Sequence, residues 1–329
     1  MSCIFTGSKY NDIPLERDPI VVERLVKAGV DQQMAEHVAH LFIRDTVSLF
    51  EEKLHQDDER DNDHFENIQS TNWQDMRFKP PPINNVAPDG SQIGWRVEFR
   101  PMEVGLTDFE NASFATFVVL LSRAILDFGL DFLIPLSRVD ENFLRARRRD
   151  ALRTERFFFR TRCFPPGYRN GFSGHSEACP SKTIVDAKNP EGIYELTLNE
   201  IFNGSEALGF PGLVPIVRCY MQRYYLPSPS AAANSAQLVE TQELLDRIDT
   251  SYLALVSRRA SGELQTGARW MRGLIDAHPD YTHDSAIGEQ VAYDMTRNID
   301  QLMRGDIWPK ELFGDIRLPL CRSRLSSSQ

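Results

Sequence analysis

One run in this chain, GWRVEFR at residues 94–100, alternates between apolar and charged side chains, and it is the clearest strand signal present. Trp95, Val97 and Phe99 share one parity, and Arg96, Glu98 and Arg100 share the other. A strand displays the two sets on opposite faces. A lone strand cannot satisfy its own backbone donors and acceptors. Residues 94–100 must therefore pair with something, yet the sequence offers few other strands and about ten helical segments.

The helix signals are local and chemical. Asp18-Pro19 places a capping carboxylate before a proline at the first helical position; IVVERLVK follows, and Gly29 closes it. Asp31 caps a second helix to about Phe42, and Asp45 is placed to cap a third, TVSLFEEKL. HQDDERDNDH then reads as a solvated loop. Thr107 and Glu110 form a capping box at the head of a long apolar helix that reaches about Asp127. Ser137 opens an arginine-rich helix, and Thr197 with Glu200 repeats the capping box. GARWMRGLIDAHP and EQVAYDMTRNIDQLM follow at helical period. FFFR is a candidate short strand. Residues 161–192 read as a loop or insertion, 226–235 as a connector and 315–329 as a tail. The expected class is α+β, predominantly helical.

The net charge of −10, without a basic tract, argues against a nucleic-acid backbone or an anionic membrane as partner. The most apolar stretch is interrupted by Arg123, Asp127, Asp131 and Pro135, so it reads as a core helix and a connection. Five scattered cysteines favour a reducing compartment over a disulfide framework. MSCIFTGSKYND lacks a signal-peptide pattern, and the expected location is cytoplasmic.

Few motifs carry chemistry. On residues alone, Arg96, Glu98 and Arg100 form either a solvated charge stripe or a site facing anionic groups, in which a carboxylate is a hard ligand for Mg²⁺ and a guanidinium grips a phosphate. Arg77 and Lys79 adjoin three consecutive prolines, which read as a stiff structural crossover in preference to a segment holding a cation at a site edge or a recognition segment for another domain. His37 and His40, three apart on a helix, read as a core pair before a metal pair. DDERDNDH lacks the glycine and spacing of a calcium loop, and the Cys163, His175, Cys179 spacing matches no standard metal site. There is no P-loop, GxGxxG, GxSxG or HExxH.

The ordered runs AEHVAHLFIRDTVSLFEEKLH, DHFENIQSTNWQDMRFKPPP and IGWRVEFRPMEVGLTDFEN resemble the catalytic subunit of eukaryotic glutamate–cysteine ligases. So do LDFLIPLSRVDEN, FPGLVPI, RASGELQTGARWMR and AHPDY, and the resemblance spans residues 7–314. It implies ligation of the γ-carboxyl of L-glutamate to L-cysteine with ATP and Mg²⁺, through γ-glutamyl phosphate, the first step of glutathione synthesis. It also implies a glutamine-synthetase-like funnel of antiparallel strands with helices outside. Carried over onto GWRVEFR, Glu98 corresponds to a Mg²⁺ ligand and Arg100 to an arginine at the ATP phosphates. Arg96, Lys79 and Asn72 are further candidates for ATP or substrate binding.

On this resemblance the charged parity of residues 94–100 lines the funnel, and Trp95, Val97 and Phe99 pack against outer helices. The resemblance covers the C-terminal half of that subunit, so the funnel is expected to be partial and the partners of residues 94–100 to lie in the other half. The chain is then expected to be inactive alone. The alternative is a truncated, non-catalytic protein that binds full-length catalytic subunits or a modifier subunit. A third reading is a helical scaffold whose charged stripe is only surface.

Overall fold

The computed structural model describes residues 10–14, 16–43, 48–70, 76–79, 81, 93–100, 102, 105–165, 189–225 and 235–316. These fall into two compact units, one within residues 1–103 together with 135–137, the other within 104–134 together with 138–329. Asn72, Asp45, His175, Cys179, and most of the expected insertion, connector and tail lie outside the described residues.

In the first unit, α1 (Pro19–Lys27) starts where Asp18 Oδ1 accepts the backbone N–H groups of Ile20 and Val21 at 2.9 and 3.2 Å. The Asp18 side chain thus satisfies two of the donors that a helix start leaves open. Asp31 caps α2 (Gln32–Leu41) in the same way, through Met34 N–H at 3.0 Å. Of the third helix expected over TVSLFEEKL, the described residues 48–54 hold a single 3₁₀ turn, Glu51–Lys53. Side-chain bonds across the charged loop account for this: Lys53 pairs with Asp63, Gln56 donates to Asp63 at 2.7 Å, and Asn67 donates to Gln56 at 2.8 Å. They tie the turn to α3 (His64–Ser70), a helix with no clear sequence period.

The first unit also holds the partner of residues 94–100. Strand β1 (Met76–Lys79) pairs antiparallel with β2 (Arg96–Phe99), in the register Met76↔Phe99, Arg77↔Glu98, Phe78↔Val97 and Lys79↔Arg96. The expectation that the partner lies outside this chain is therefore corrected for one edge of β2. In the sequence the tripeptide PPP follows directly on β1, and proline has no N–H to donate to a ladder.

The second unit is built on α4 (Asp108–Phe128), whose capping box forms as expected between Thr107 and Glu110. Gly129, at φ +62°, ends it. One face of α4 buries Phe109, Phe117, Leu120, Ala124 and Phe128, at spacings that follow the helical turn. The apolar stretch is thus a core helix, as expected, although its length and composition also suit a membrane span. Next in the chain come α5 (Leu136–Ala146), α6 (Ala151–Thr154), β3 (Phe157–Arg160) and β4 (Ile193–Leu196), the strands pairing antiparallel. FFFR is a strand as expected, and its partner IYEL is a finding of the structure.

Then follow α7 (Leu198–Asn203) and α8 (Leu213–Tyr225), joined by a turn that brings two glycines together. A Cβ on Gly212, at φ +94°, would lie 2.5 Å from Gly204 N. Only glycine fits such a contact. The chain continues through α9 (Ser235–Arg247), a π-helical stretch Ile248–Leu253, and α10 (Ala254–Ala260). It closes with α11 (Gly267–Asp276), α12 (Glu289–Arg304) and α13 (Lys310–Phe313). One apolar cluster gathers α4 and α8 around Val214, Ile216, Val217 and Leu253. A second surrounds Phe109, Leu255, Leu302, Leu312 and Phe313.

The class is α+β and mostly helical, as expected. Among the described residues the strands form two separate two-stranded sheets, so the partial funnel is not seen in them.

Candidate active site

The β1–β2 hairpin brings three of the sequence-predicted residues into direct contact. Glu98 Oε2 lies 2.9 Å from Lys79 Nζ, and Glu98 Oε1 accepts Arg100 Nε at 2.7 Å. Lys79 reaches Glu98 on the diagonal, because its directly paired residue is Arg96 and Glu98 faces Arg77. Alternation places Arg96, Glu98 and Arg100 on one face, and the register adds Lys79 to it. Arg96 is half-buried there. The three contacting side chains are 29–35% exposed.

One carboxylate among several cations leaves this face electropositive in a chain of net charge −10. Each Glu98 oxygen already accepts a charge-assisted bond, so the carboxylate fixes the two cations in place. Such a face suits a bound anion, and a planar guanidinium suits a phosphate or a carboxylate. It does not make a magnesium site by itself. Mg²⁺ demands near-octahedral oxygen coordination, and no group of three or more metal-ligating side chains occurs among the described residues.

The other face differs from expectation. Trp95, Val97 and Phe99 are 52–57% exposed and do not pack under outer helices. Trp95 alone meets a described ring, Phe65 of α3, edge to face at 6.0 Å. Val97 and Phe99 are left open to solvent.

The histidine pair is structural, as expected. His37 is buried and lies 3.1 Å, Nε2 to Nε2, from Gln69, while the His40 ring bonds Glu16 O at 2.9 Å. Burial first, and then the charge of His40, lower the His37 pKa to about 4. The unfolded chain therefore binds this proton more tightly than the folded chain. The resulting stability is complete above pH 6.5 and is lost as pH falls towards 4. The first unit is expected to lose about 3 kcal/mol across that window. Urea midpoints from pH 7 to 4.5 should show the slope, and His37→Gln should flatten it; an unchanged slope would rule His37 out as its source.

The sequence profile of the glutamate–cysteine ligase family matches residues 2–302. The chain belongs to that family. It is 47% identical over 296 residues to the glutamate–cysteine ligase catalytic subunit of Rattus norvegicus, covering 90% of this chain and 42% of the relative. It is 41% identical over 299 residues to the glutamate–cysteine ligase of Schizosaccharomyces pombe, covering 91% and 39%. To that of Dictyostelium discoideum it is 39% identical over 309 residues, covering 94% and 43%. The chain thus spans about two-fifths of the length of these curated relatives. The match runs through both strands of the hairpin and the helices on either side of it.

Two features of the first unit escaped sequence reasoning. Lys53 and Asp63 were placed on a helix and in a solvated loop, but they meet. Gln69 falls in a stretch with no element expected from sequence, and it is buried on α3. No short-range pattern marks such pairs, because both arise from tertiary contact.

Proposed function

We propose that this chain supplies the phosphate-facing hairpin of an ATP-dependent glutamate–cysteine ligase, the rest of the active site coming from further polypeptide. The observation that carries this is the Lys79–Glu98–Arg100 cluster, which lies within the family match. In the proposed reaction the γ-carboxylate of L-glutamate attacks the γ-phosphorus of ATP and ADP leaves. The amine of L-cysteine then attacks the acyl carbon of γ-glutamyl phosphate, loses a proton, and phosphate departs as the amide forms. Arg100 and Lys79 sit where two cations offset charge on the transferring phosphoryl group. Glu98 holds both cations at a fixed separation, and Arg96 adds positive potential on the same face. Mg²⁺, when bound, would neutralise phosphate charge; it would find one carboxylate here, Glu98, and its other ligands elsewhere. A partial funnel closed by the missing length would cover Trp95, Val97 and Phe99. A cytoplasmic location and a modifier subunit belong to the same proposal.

The exposed apolar face of β2 also favours a second reading, in which the chain binds full-length catalytic or modifier subunits without catalysing anything. One comparison separates the two. The chain is joined to the part of the rat relative that it does not cover, and ADP release is measured with each amino acid present or omitted. The ligase reading expects release that needs both amino acids from the joined protein and none from the 329-residue chain alone. A joined, folded protein without turnover would overturn it in favour of the binding role.

A further inference from the structure

The chain carries a net charge of −10, yet residues 145–156, RARRRDALRTER, hold six arginines against Asp150 and Glu155. They span the end of α5, a tight turn, α6 and the two residues before β3, all within the second unit. Part of this positive charge is used inside the fold. Arg145 pairs with Glu141 and Glu195 at 2.8 and 3.1 Å, Arg148 with Glu155 at 3.0 Å, and Arg156 with Glu200 at 3.2 Å. Asp150 is taken up by Arg269 of α11. Arg147, Arg149 and Arg153 are exposed, and their guanidiniums have no hydrogen-bond or ion-pair partner among the described residues.

The turn that carries them is held in shape from several sides. Arg148 N–H donates to Arg145 O at 3.0 Å, Ala151 N–H to Arg148 O at 3.2 Å, and Arg153 N–H to Asp150 O at 2.9 Å. Asp150 sits at φ +56°, a left-handed conformation that aspartate tolerates better than most residues, and its ion pair with Arg269 ties the turn to α11. The stem of Arg153 passes against Gly262, where a Cβ would lie 3.4 Å from its Cγ. Three uncommitted like charges within seven residues repel one another, and an anion arriving from outside relieves that repulsion.

The exposure of the turn restricts what that anion is. Ala146 to Arg149 are all exposed, so the guanidiniums stand out from the surface and do not enclose a small ion. Their planar forks match carboxylates, and arginine clusters are common readers of acidic peptide motifs. A nucleic acid or an anionic bilayer would also bring negative charge over the rest of an acidic surface. A short acidic segment meets only the turn, because salt screens charges more than about 8 Å away. We propose that Arg147, Arg149 and Arg153 form a docking point for an acidic peptide segment of a protein partner. Exposed ion pairs are individually weak, so the contact is fast and salt-sensitive, and its part is to steer the partner into place. This site does not depend on the ligase reading.

The test is fluorescence anisotropy of fluorescein-labelled hexaglutamate with the 329-residue chain, at low salt and again with salt raised about tenfold. An oligodeoxythymidine of equal charge and phosphatidylserine vesicles are titrated in parallel. The peptide should bind at low salt, be released as salt rises, and bind more tightly than either phosphate-bearing probe. The triple variant Arg147→Gln/Arg149→Gln/Arg153→Gln should weaken its binding by about fivefold or more. The triple variant Arg24→Gln/Arg123→Gln/Arg247→Gln removes the same charge from arginines elsewhere that are also exposed and without a partner among the described residues, and should stay within about twofold of the parent. Both variants should melt with the parent, since these side chains have no such partner to lose. Absence of peptide binding, equal loss in the two triple variants, or tighter binding of the oligonucleotide or the vesicles would overturn the proposal. None of these results touches the ADP assay, and failure of the ligase reading would leave the docking point in place.

Discussion

Glu98→Gln, in the chain joined to the remainder of the rat relative, is expected to lower turnover at least a hundredfold and to change unfolding free energy by less than about 1 kcal/mol. The two halves of that expectation have different causes. Glutamine keeps the size of the side chain but removes the charge. Its amide puts an NH₂ donor where one of the two carboxylate oxygens stood, so one of Lys79 and Arg100, now held at 2.9 and 2.7 Å by separate oxygens, would face a donor in place of an acceptor. The two cations, with Arg96 on the same face, are then left to repel one another and drift. Groups proposed to meet a transferring phosphoryl would lose their fixed separation, and small misplacements are costly in rate. Stability changes little because the three side chains are about a third exposed and water screens their pairing. Thermal melts and steady-state ADP release on the same preparation check both halves. Turnover within threefold of the parent would remove Glu98 from the chemistry and leave the stripe as surface charge.

Much of the helical architecture was legible because its signals are local. Asp18, Asp31, Thr107 and Thr197 each cap the helix expected of them, since a cap needs only a side-chain oxygen a few residues from an open N–H. The charged parity of GWRVEFR was legible for a similar reason, as alternation fixes which side chains share a face. What failed was tertiary. MRFK alternates, but over only four residues before three prolines, too short a run to announce β1 by itself; its pairing with β2 is a contact between segments. TVSLFEEKL has helical character, but the bonds from Lys53, Gln56 and Asn67 towards Asp63 and α3 compete with helix formation there. The apolar parity was read as buried, yet Trp95, Val97 and Phe99 are open, because burial depends on what is stacked over a sheet. The role expected of Glu98 rests on the resemblance. Alternation alone left it between a site and a solvated stripe. The burial of Gln69 has no sequence signal, since only the fold withdraws that side chain from water.

Arg259→Met is expected to destabilise the second unit by about 3–5 kcal/mol. Arg259 Nη1 lies 2.8 Å from Glu110 Oε1, and the side chains are 9% and 1% exposed. The other Glu110 oxygen is already used: Oε2 accepts Thr107 N–H at 3.1 Å and Thr107 Oγ1 at 3.2 Å. A single carboxylate therefore caps α4 and anchors α10, while Arg259 Nη2 reaches Leu312 O of α13 at 3.5 Å. Methionine fills the apolar part of the space but leaves that carboxylate buried without its counter-charge. Loss of one partner from a buried pair is the costly case, whereas removal of both charges is often close to neutral. The double variant Glu110→Gln/Arg259→Met should therefore recover most of the loss, since glutamine keeps an oxygen for the Thr107 cap and carries no charge. Urea unfolding of the parent, both single variants and the double variant gives the coupling directly. A cost under 1 kcal/mol for Arg259→Met, or a double variant no better than the single, would mean that water reaches Glu110. The apolar cluster of Phe109, Leu255, Leu312 and Phe313 would then be the main tie among these three helices.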